Sequence, residues 1–369
     1  MQRPPEFEPL SEVMGRFGFK PEALEVMPWG DGHIHRTFKV SCGAPGRRST
    51  LLMQALNREV FPEPEALMGN LLAVTEFARA KLGERGIPDP ERRMQRVLLT
   101  PSGECLVSQS GALWRGFGFI EGSRTPQAIE AAAEAFEVAS AFGEFIELLS
   151  DFEVAKLHPS LPDFHHTPAR LRQLRSAAQA DPLGRRLGVQ PELEFIEVRE
   201  ALMGLVVQGL EAGALPLRVT HNDTKVNNVL LDAKSGRRLC VVDLDTVMAG
   251  SSLYDFGDMA RTCLSPTAED TLELHRIHAR EEILAALGQG FAKGLGACLS
   301  AAERELFFDS IRLITLEQGM RFLSDHLLGD SYFGAQRPDH NLQRARAQLA
   351  LVAHLELRSD ELRRVLGQH

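Results

Sequence analysis

Residues 219–245 read VTHNDTKVNNVLLDAKSGRRLCVVDLD, and the reading of this stretch decides the fold. A polar loop comes first, His221-Asn-Asp-Thr-Lys-Val-Asn-Asn228. Two apolar runs follow, separated by a turn that carries Lys234-Ser-Gly236. Short apolar runs on either side of a Gly-containing turn predict a β-hairpin. The second run ends in Asp243-Leu-Asp245, which puts two carboxylates at a strand end, where the backbone is rigid.

Outside the hairpin, the sequence from Thr125 onward is helical in pattern. TPQAIEAAAEAFEVASAFGEFIELLSDF (125–152) and PELEFIEVREALMGLVVQGLEAG (191–213) carry apolar residues at helical spacing, and so does nearly everything after Ser265. Residues 1–120 differ. HRTFKV, TLLMQAL, RVLLT, ECLVSQS and LWRGFGFI are β-like runs separated by turn residues. One helical pattern interrupts them, PEALMGNLLAVTEFARAKLGERG (64–86), and it ends in Gly. The expectation is an α+β chain in two parts: a small antiparallel sheet with one helix over 1–120, and a helical part with one hairpin over 121–369.

Composition narrows the function. Hydrophobic residues make up 44% and charged residues 25% of the 369, as in ordinary globular proteins. Lys plus Arg number 41 against 50 Asp plus Glu, a formal net charge of −9. Nucleic acid is therefore not an expected partner, because phosphate binding needs a basic footprint. The opening MQRPPEFEPL has no apolar core, and no run of eighteen apolar residues exists, so neither a leader nor a membrane span is expected. Five scattered cysteines without a CxxC predict reduced thiols. The expected setting is a cytoplasmic monomer.

The polar loop carries the chemistry. His221-x-Asp223-x-x-x-x-Asn228 has the spacing of a phosphoryl-transfer catalytic loop. There the Asp accepts the proton of the attacking hydroxyl, the Asn turns back as a magnesium ligand, and the His props the loop. Asp243, 20 residues after Asp223, is the expected second ligand, and Asp245 a further one, direct or through water. Magnesium takes oxygen ligands, usually one or two carboxylates plus phosphate oxygens. Lys225 is expected to offset charge on the transferring group. In the N-terminal part, Gly30 and Gly32 precede a β-like run, as in a loop whose amides approach phosphates. The lysine that protein kinases carry on the third strand is missing; Gln54 is the one long polar side chain on that strand, and it is the candidate there.

Taken in order, several segments resemble one family. PWGDGHIHRTF, MQALNREVFPEPEALMGNL, LWRGFGFIEG, LPDFHHTPARL, PLRVTHNDTKVNNVLLD, VVDLDTVMAGSSLYDFGDMAR and EQGMRFLSDHLLGDSYF look like the aminoglycoside phosphotransferase and choline kinase superfamily. Within it the chain is most similar to the N-acetylhexosamine 1-kinases. The resemblance implies a protein-kinase-like two-lobed fold and ATP- and Mg2+-dependent phosphorylation of the anomeric hydroxyl of GlcNAc or GalNAc. It implies Asp223 as base, and Asn228 and Asp243 as magnesium ligands. His33, Arg321 and Tyr332 match positions that contact the sugar, alongside Asp223. WRGFGFIEG matches the hinge at adenine, which brings in Phe119 and Glu121. His35 departs from the family, which usually has a small polar residue there.

Composition also bears on the acceptor. A quaternary ammonium wants an aromatic cage, yet aromatics are 7%, with two Trp and two Tyr. The stretch 317–347 mixes Arg321, Arg337, Arg344 and Arg346 with Asp325, Asp330 and Asp339, which suits a neutral, hydroxyl-rich acceptor. The alternative is another small hydroxylated metabolite, of the aminoglycoside- or choline-kinase type. A binding-only pseudokinase would lack Asp223, Asn228 or Asp243, and a sulfatase would need a C-x-P-x-R context. Finally, LYDFGDM (253–259) carries Asp-Phe-Gly letters, but Asp255 lies 12 residues beyond Asp243. It is expected to cap a helix or brace the catalytic loop rather than bind the metal.

Overall fold

The computed structural model describes residues 8–20, 24–30, 34–43 and 48–368. The chain divides into two compact units. The first holds residues 1–123 with 155–161 and 239–245; the second holds 124–154, 162–238 and 246–369.

The first unit is built on a five-stranded antiparallel sheet, β1 (Glu25–Pro28), β2 (Arg36–Cys42), β3 (Ser49–Ala55), β4 (Val107–Gln109) and β5 (Ala112–Gly118), in the order β1-β2-β3-β5-β4. Alternation along the strands sorts the side chains by face. Phe38, Val40, Cys42, Leu51, Met53 and Trp114 are buried in one cluster with Leu10, Val13 and Met14 of the first helix, Glu8–Arg16. The opposite face is polar in one row, because the register pairs Thr37 with Gln54 and Gln54 with Arg115. The single long helix runs Pro64–Glu84 and stops before Gly86, whose φ of +64° suits glycine. Of the β-like runs, RVLLT makes only an isolated bridge, Val97 to Phe117, and ECLVSQS shortens to β4. Thr100 and Glu104 bond each other across a tight turn, so those backbone groups are satisfied locally and the strands end.

Two later segments return to this unit. Asn70, on the long helix, bonds both the N–H and the C=O of His158. Val241 bridges to Met94 in parallel, which fixes the end of the strand Arg238–Val241.

The second unit is helical. Helix Ala132–Leu148 packs on Glu281–Leu295 through glycines. A Cβ on Gly143 would lie 2.6 Å from the Phe291 carbonyl oxygen, and one on Gly294 would lie 2.6 Å from that of Ser140. Helix Phe307–Leu328 is central, with Leu316, Met320, Phe322 and Leu323 in a core shared with Leu171, Leu174, Leu349 and Val352. Helix Ser252–Leu264 contains the Asp-Phe-Gly letters. Its Gly257 lies so close to the central helix that a Cβ would sit 2.4 Å from the Ser310 carbonyl oxygen.

Two expectations about helices change. The pattern over 191–213 forms three short helices, Gln190–Glu197, Glu200–Met203 and Leu205–Glu211, with Gly204, a poor helix former, at the second break. Residues 265–280 are mostly irregular, with one 3-10 turn at Leu274–Arg276. His275 and His278 therefore share no helix face, and the His278 ring bonds the Arg276 carbonyl instead. Among the described residues no helix is long and apolar enough to cross a membrane.

Candidate active site

In the second unit, strand Arg218–Thr220 pairs antiparallel with Met248–Gly250 and delivers the chain into the polar loop. Asn222 takes the left-handed region, φ 66°. Asn and Asp tolerate that region better than other non-glycine residues. Its side chain donates to the carbonyls of Thr246 at 2.9 Å and Thr220 at 3.2 Å, and accepts from the Thr220 hydroxyl at 3.0 Å. The carboxylate of Asp255 accepts from the backbone N–H of His221 at 2.9 Å and of Asn222 at 2.7 Å. Asp258 accepts from the N–H of Thr224 at 2.8 Å. Thr246 donates to the His221 carbonyl at 2.6 Å. The loop backbone is thus held at His221, Asn222 and Thr224 by two carboxylates of the Ser252–Leu264 helix, and at His221 also by Thr246.

The His221 ring is fully buried, edge-on to Phe142 and Phe145 with centroids 5.4 and 6.1 Å away. Its Nδ1 accepts from the N–H of Asp223 at 3.3 Å. Asp223 is half-buried and its carboxylate meets the Lys225 ammonium at 2.9 Å. Burial by itself pushes this carboxyl up, but the Lys225 charge and hydrogen bond outweigh it and hold Asp223 below the usual carboxylate range. Burial likewise pulls Lys225 down, and the charges of Asp223 and Asp258 more than reverse this. Both groups are charged at neutral pH. An ionised carboxylate on a fixed loop can accept the proton of an alcohol.

Asn228 donates through Nδ2 to the Asp223 carbonyl at 2.8 Å and, more weakly, to its carboxylate at 3.4 Å. With the nitrogen so committed, the amide oxygen is the atom left to act as a ligand. In the first unit, Asp243 is exposed and its backbone is left-handed, φ 62°. An amide oxygen and a carboxylate are each hard oxygen donors of the kind magnesium selects, so the chemistry of either residue suits the ion.

Asp245, expected as a further ligand, has its carboxylate bonded to other side chains of the first unit. It is buried, and both oxygens are taken: Arg115 reaches Oδ1 at 2.6 Å and Oδ2 at 2.7 Å, and His35 Nε2 reaches Oδ2 at 2.6 Å. Burial pushes this carboxyl up, but the guanidinium and imidazole outweigh it and hold the group far below the usual range. Gln54 is also committed inside the sheet. It donates one amide N–H to the Thr37 hydroxyl at 3.0 Å and accepts from Arg115 Nε at 2.9 Å, so both ends of the amide take part in the sheet's own network.

The other expected residues fall as follows. Gly30 has φ +80°, while Gly32 and His33 lie outside the described residues. Phe119 donates its N–H to the Thr50 carbonyl at 3.2 Å, and its ring stands edge-on to Trp29 at 5.2 Å, with Lys39 Nζ 4.0 Å from its centroid. Glu121 is exposed, and its carbonyl accepts from Arg92. Arg321 extends from the central helix, 5.3 Å from the rings of both Phe164 and Phe333, and donates to Gln318 at 2.9 Å. The Tyr332 ring is exposed and edge-on to Phe333 at 4.8 Å.

Glu317 and Arg115 went unread in the sequence, and Asp325 was read only as one of a mixed set of charges. Asp325 receives the N–H groups of Tyr332 and Phe333 at 2.8 and 2.9 Å and so shapes the turn after the central helix. Glu317 accepts from His165 Nδ1 at 2.8 Å and from the Thr167 hydroxyl at 2.5 Å. The His165 Nε2 side bonds the Asn222 carbonyl at 2.9 Å, beside Asp223. Arg115 lies in LWRGFGFI as an apparent polar position of an alternating strand, yet is 1% exposed. An ionisable residue inside an apolar run was the one available signal.

The sheet-and-helix architecture and the braced His-x-Asp-x-x-x-x-Asn loop define a protein-kinase-like fold of the α+β class. The model of the phosphotransferase enzyme family, APH, matches residues 25–295, and the chain belongs to that family. Solved structures share the fold at low identity. An aminoglycoside phosphotransferase from Alicyclobacillus acidocaldarius is 16% identical with a TM-score of 0.61, covering 98% of each chain. A choline kinase from Cryptosporidium parvum is 12% identical with a TM-score of 0.60, over 95% of this chain and 97% of that one. A microcompartment-associated aminopropanol kinase is 12% identical with a TM-score of 0.55, over 96% and 97%.

Proposed function

We propose that this protein transfers the γ-phosphoryl group of ATP to the anomeric hydroxyl of an N-acetylhexosamine, GlcNAc or GalNAc, giving the 1-phosphate. The observation that carries the reading is the Asp223 carboxylate, ionised and half-buried, on a loop whose backbone is pinned by Asp255 and Asp258. Asp223 orients the acceptor hydroxyl and takes its proton as the oxygen attacks phosphorus in line. Lys225, which faces that carboxylate, offsets charge on the transferring group. Asn228 and Asp243 are assigned as the residues that hold Mg2+, which supplies neutralisation of the phosphate oxygens. Arg321 between two phenyl rings, with the exposed Tyr332 nearby in sequence, offers donors and flat faces to a sugar ring. The nucleotide is assigned to residues 1–120 through Gly30, Gly32, Phe119 and Glu121, and the acceptor to Arg321 and Tyr332 of 121–369; His33 keeps its assignment from the resemblance alone.

The same reading places a monomer in the cytoplasm, in keeping with cysteines that are all free. The second reading, an amino-alcohol or aminoglycoside acceptor, is favoured by the names of the structures that share the fold. A coupled ADP-release screen over free hexosamines, hexoses, choline, amino alcohols and aminoglycosides separates the two. Phosphorus and proton NMR of the product then locate the phosphate. Turnover confined to amino alcohols or aminoglycosides overturns the sugar reading.

A further inference from the structure

We propose that Arg115 is a positioning residue for the metal-binding carboxylate Asp243, acting through Asp245 in a closed ring of side chains that occupies the place of the absent third-strand lysine. The inference rests on Asp243 being a magnesium ligand.

The ring lies wholly in the first unit. The sheet register sets Thr37 of β2, Gln54 of β3 and Arg115 of β5 side by side on the face away from the core. Gln54 Nε2 donates to Thr37 Oγ1 at 3.0 Å, and Arg115 Nε donates to Gln54 Oε1 at 2.9 Å. The guanidinium then forks onto Asp245, Nη1 to Oδ1 at 2.6 Å and Nη2 to Oδ2 at 2.7 Å. His35 closes the circuit at 2.6 Å from Asp245 Oδ2, two residues from Thr37 along the same stretch of chain. The N–H of Asn57 donates to His35 Nδ1 at 3.1 Å. That nitrogen is therefore the acceptor, and the ring proton sits on Nε2, pointing at Asp245.

Two facts turn this ring into a positioning device. Arg115 is 1% exposed, so it cannot itself reach a phosphate. A bidentate guanidinium fixes both the place and the plane of a carboxylate. Asp245 is thereby immobilised against the sheet, two residues beyond Asp243. On the other side, Val241 is held by its bridge to Met94, also two residues away. Asp243 is bracketed between these anchors in a left-handed backbone conformation, φ 62°, a turn geometry that Asp tolerates and that aims its side chain differently from its strand neighbours. A kinase with a third-strand lysine organises phosphate and metal through a cation at that strand. Here Gln54 passes the sheet's position to Arg115, and Arg115 passes it to the segment that bears Asp243.

The test is direct metal binding, read without turnover. Mn2+ binding to the full chain with a non-hydrolysable ATP analogue is titrated by electron paramagnetic resonance for wild type, R115K, H35A and D243N. Folding is checked by far-UV circular dichroism and melting. R115K keeps the charge but loses the fork, and is expected to weaken Mn2+ about tenfold or more, the range for groups that orient metal ligands. H35A leaves the Arg115–Asp245 pair in place and is expected to weaken Mn2+ measurably but by a smaller factor than R115K. Folded R115K and H35A proteins with wild-type Mn2+ affinity overturn the proposal. If R115K fails to fold, H35A alone decides it. D243N separates the two layers: Mn2+ affinity unchanged in D243N overturns the ligand assignment, whereas affinity lost in D243N and intact in R115K and H35A overturns the positioning role alone.

Discussion

Asp255 sits under the His221–Asn228 loop and accepts two hydrogen bonds from it, from the N–H of His221 at 2.9 Å and from that of Asn222 at 2.7 Å. The Asp-Phe-Gly letters thus lie within a helix, and their carboxylate holds backbone. Burial pushes the Asp255 carboxyl up to about 6, against the pull of His221, His165 and the two N–H groups. D255N replaces one acceptor oxygen by a donor facing a donor. A buried polar clash of this kind costs about 1–3 kcal/mol. We expect a lowered melting temperature and reduced turnover with Mg2+ dependence unchanged, whereas D243N shifts the Mg2+ dependence directly. Magnesium titrations of both variants at saturating ATP settle the order; equal shifts in the two would refute it.

D223N should leave the fold intact, because the Asp223 side chain is half-buried and its partner Lys225 is exposed. Loss of a general base lowers turnover by about 10²–10⁴-fold. Initial rates at saturating ATP and acceptor, with melting curves as control, provide the check. Near-normal turnover contradicts the base assignment.

The buried pair His165–Glu317 makes stability depend on pH with a definite sign. Burial pulls the His165 imidazolium down, but the Glu317 carboxylate at 2.8 Å outweighs it, so the folded value lies above the ordinary one. That contribution is complete below the unfolded value of about 6.5 and fades as pH rises through the folded value. Glu317 is held low by the same contact. Its contribution is complete above about 4.3 and fades as pH falls through its folded value. The pair therefore stabilises most between about pH 4.3 and 6.5. Against H165Q/E317Q, which titrates at neither position, the wild-type advantage in melting temperature should shrink from pH 6 to pH 9. A constant or growing gap rules out the charged pair.

Gly257→Ala tests packing apart from chemistry. The new methyl would lie 2.4 Å from the Ser310 carbonyl oxygen, a backbone atom that cannot rotate away. Overpacking of this type costs about 1–3 kcal/mol. The melting temperature should fall; a variant as stable as wild type would mean that the two helices separate freely.

What the sequence determined by itself is local. The loop and the hairpin turn follow from spacings of a few residues, over which covalent geometry leaves little freedom. Turn Asp232–Arg237 forms where Lys234-Ser-Gly236 predicts it, closed by Asp232 N–H to the Arg237 carbonyl at 2.8 Å. The α+β division was legible for the same reason, since the period of two and the period of 3.6 are written residue by residue. Long-range partnerships were decided only in three dimensions. Arg115 and Asp245 are 130 residues apart, His35 and Asp245 210, and His165 and Glu317 152. Taken singly, Arg115 and Glu317 read as solvated charges, the two histidines as loop residues and Asp245 as a metal ligand. Folding removes each from water, and a buried charge persists only beside its opposite. Asp245 therefore joins Arg115, and Gln54 bonds Thr37 and Arg115 because the register of β2, β3 and β5 sets those three side by side.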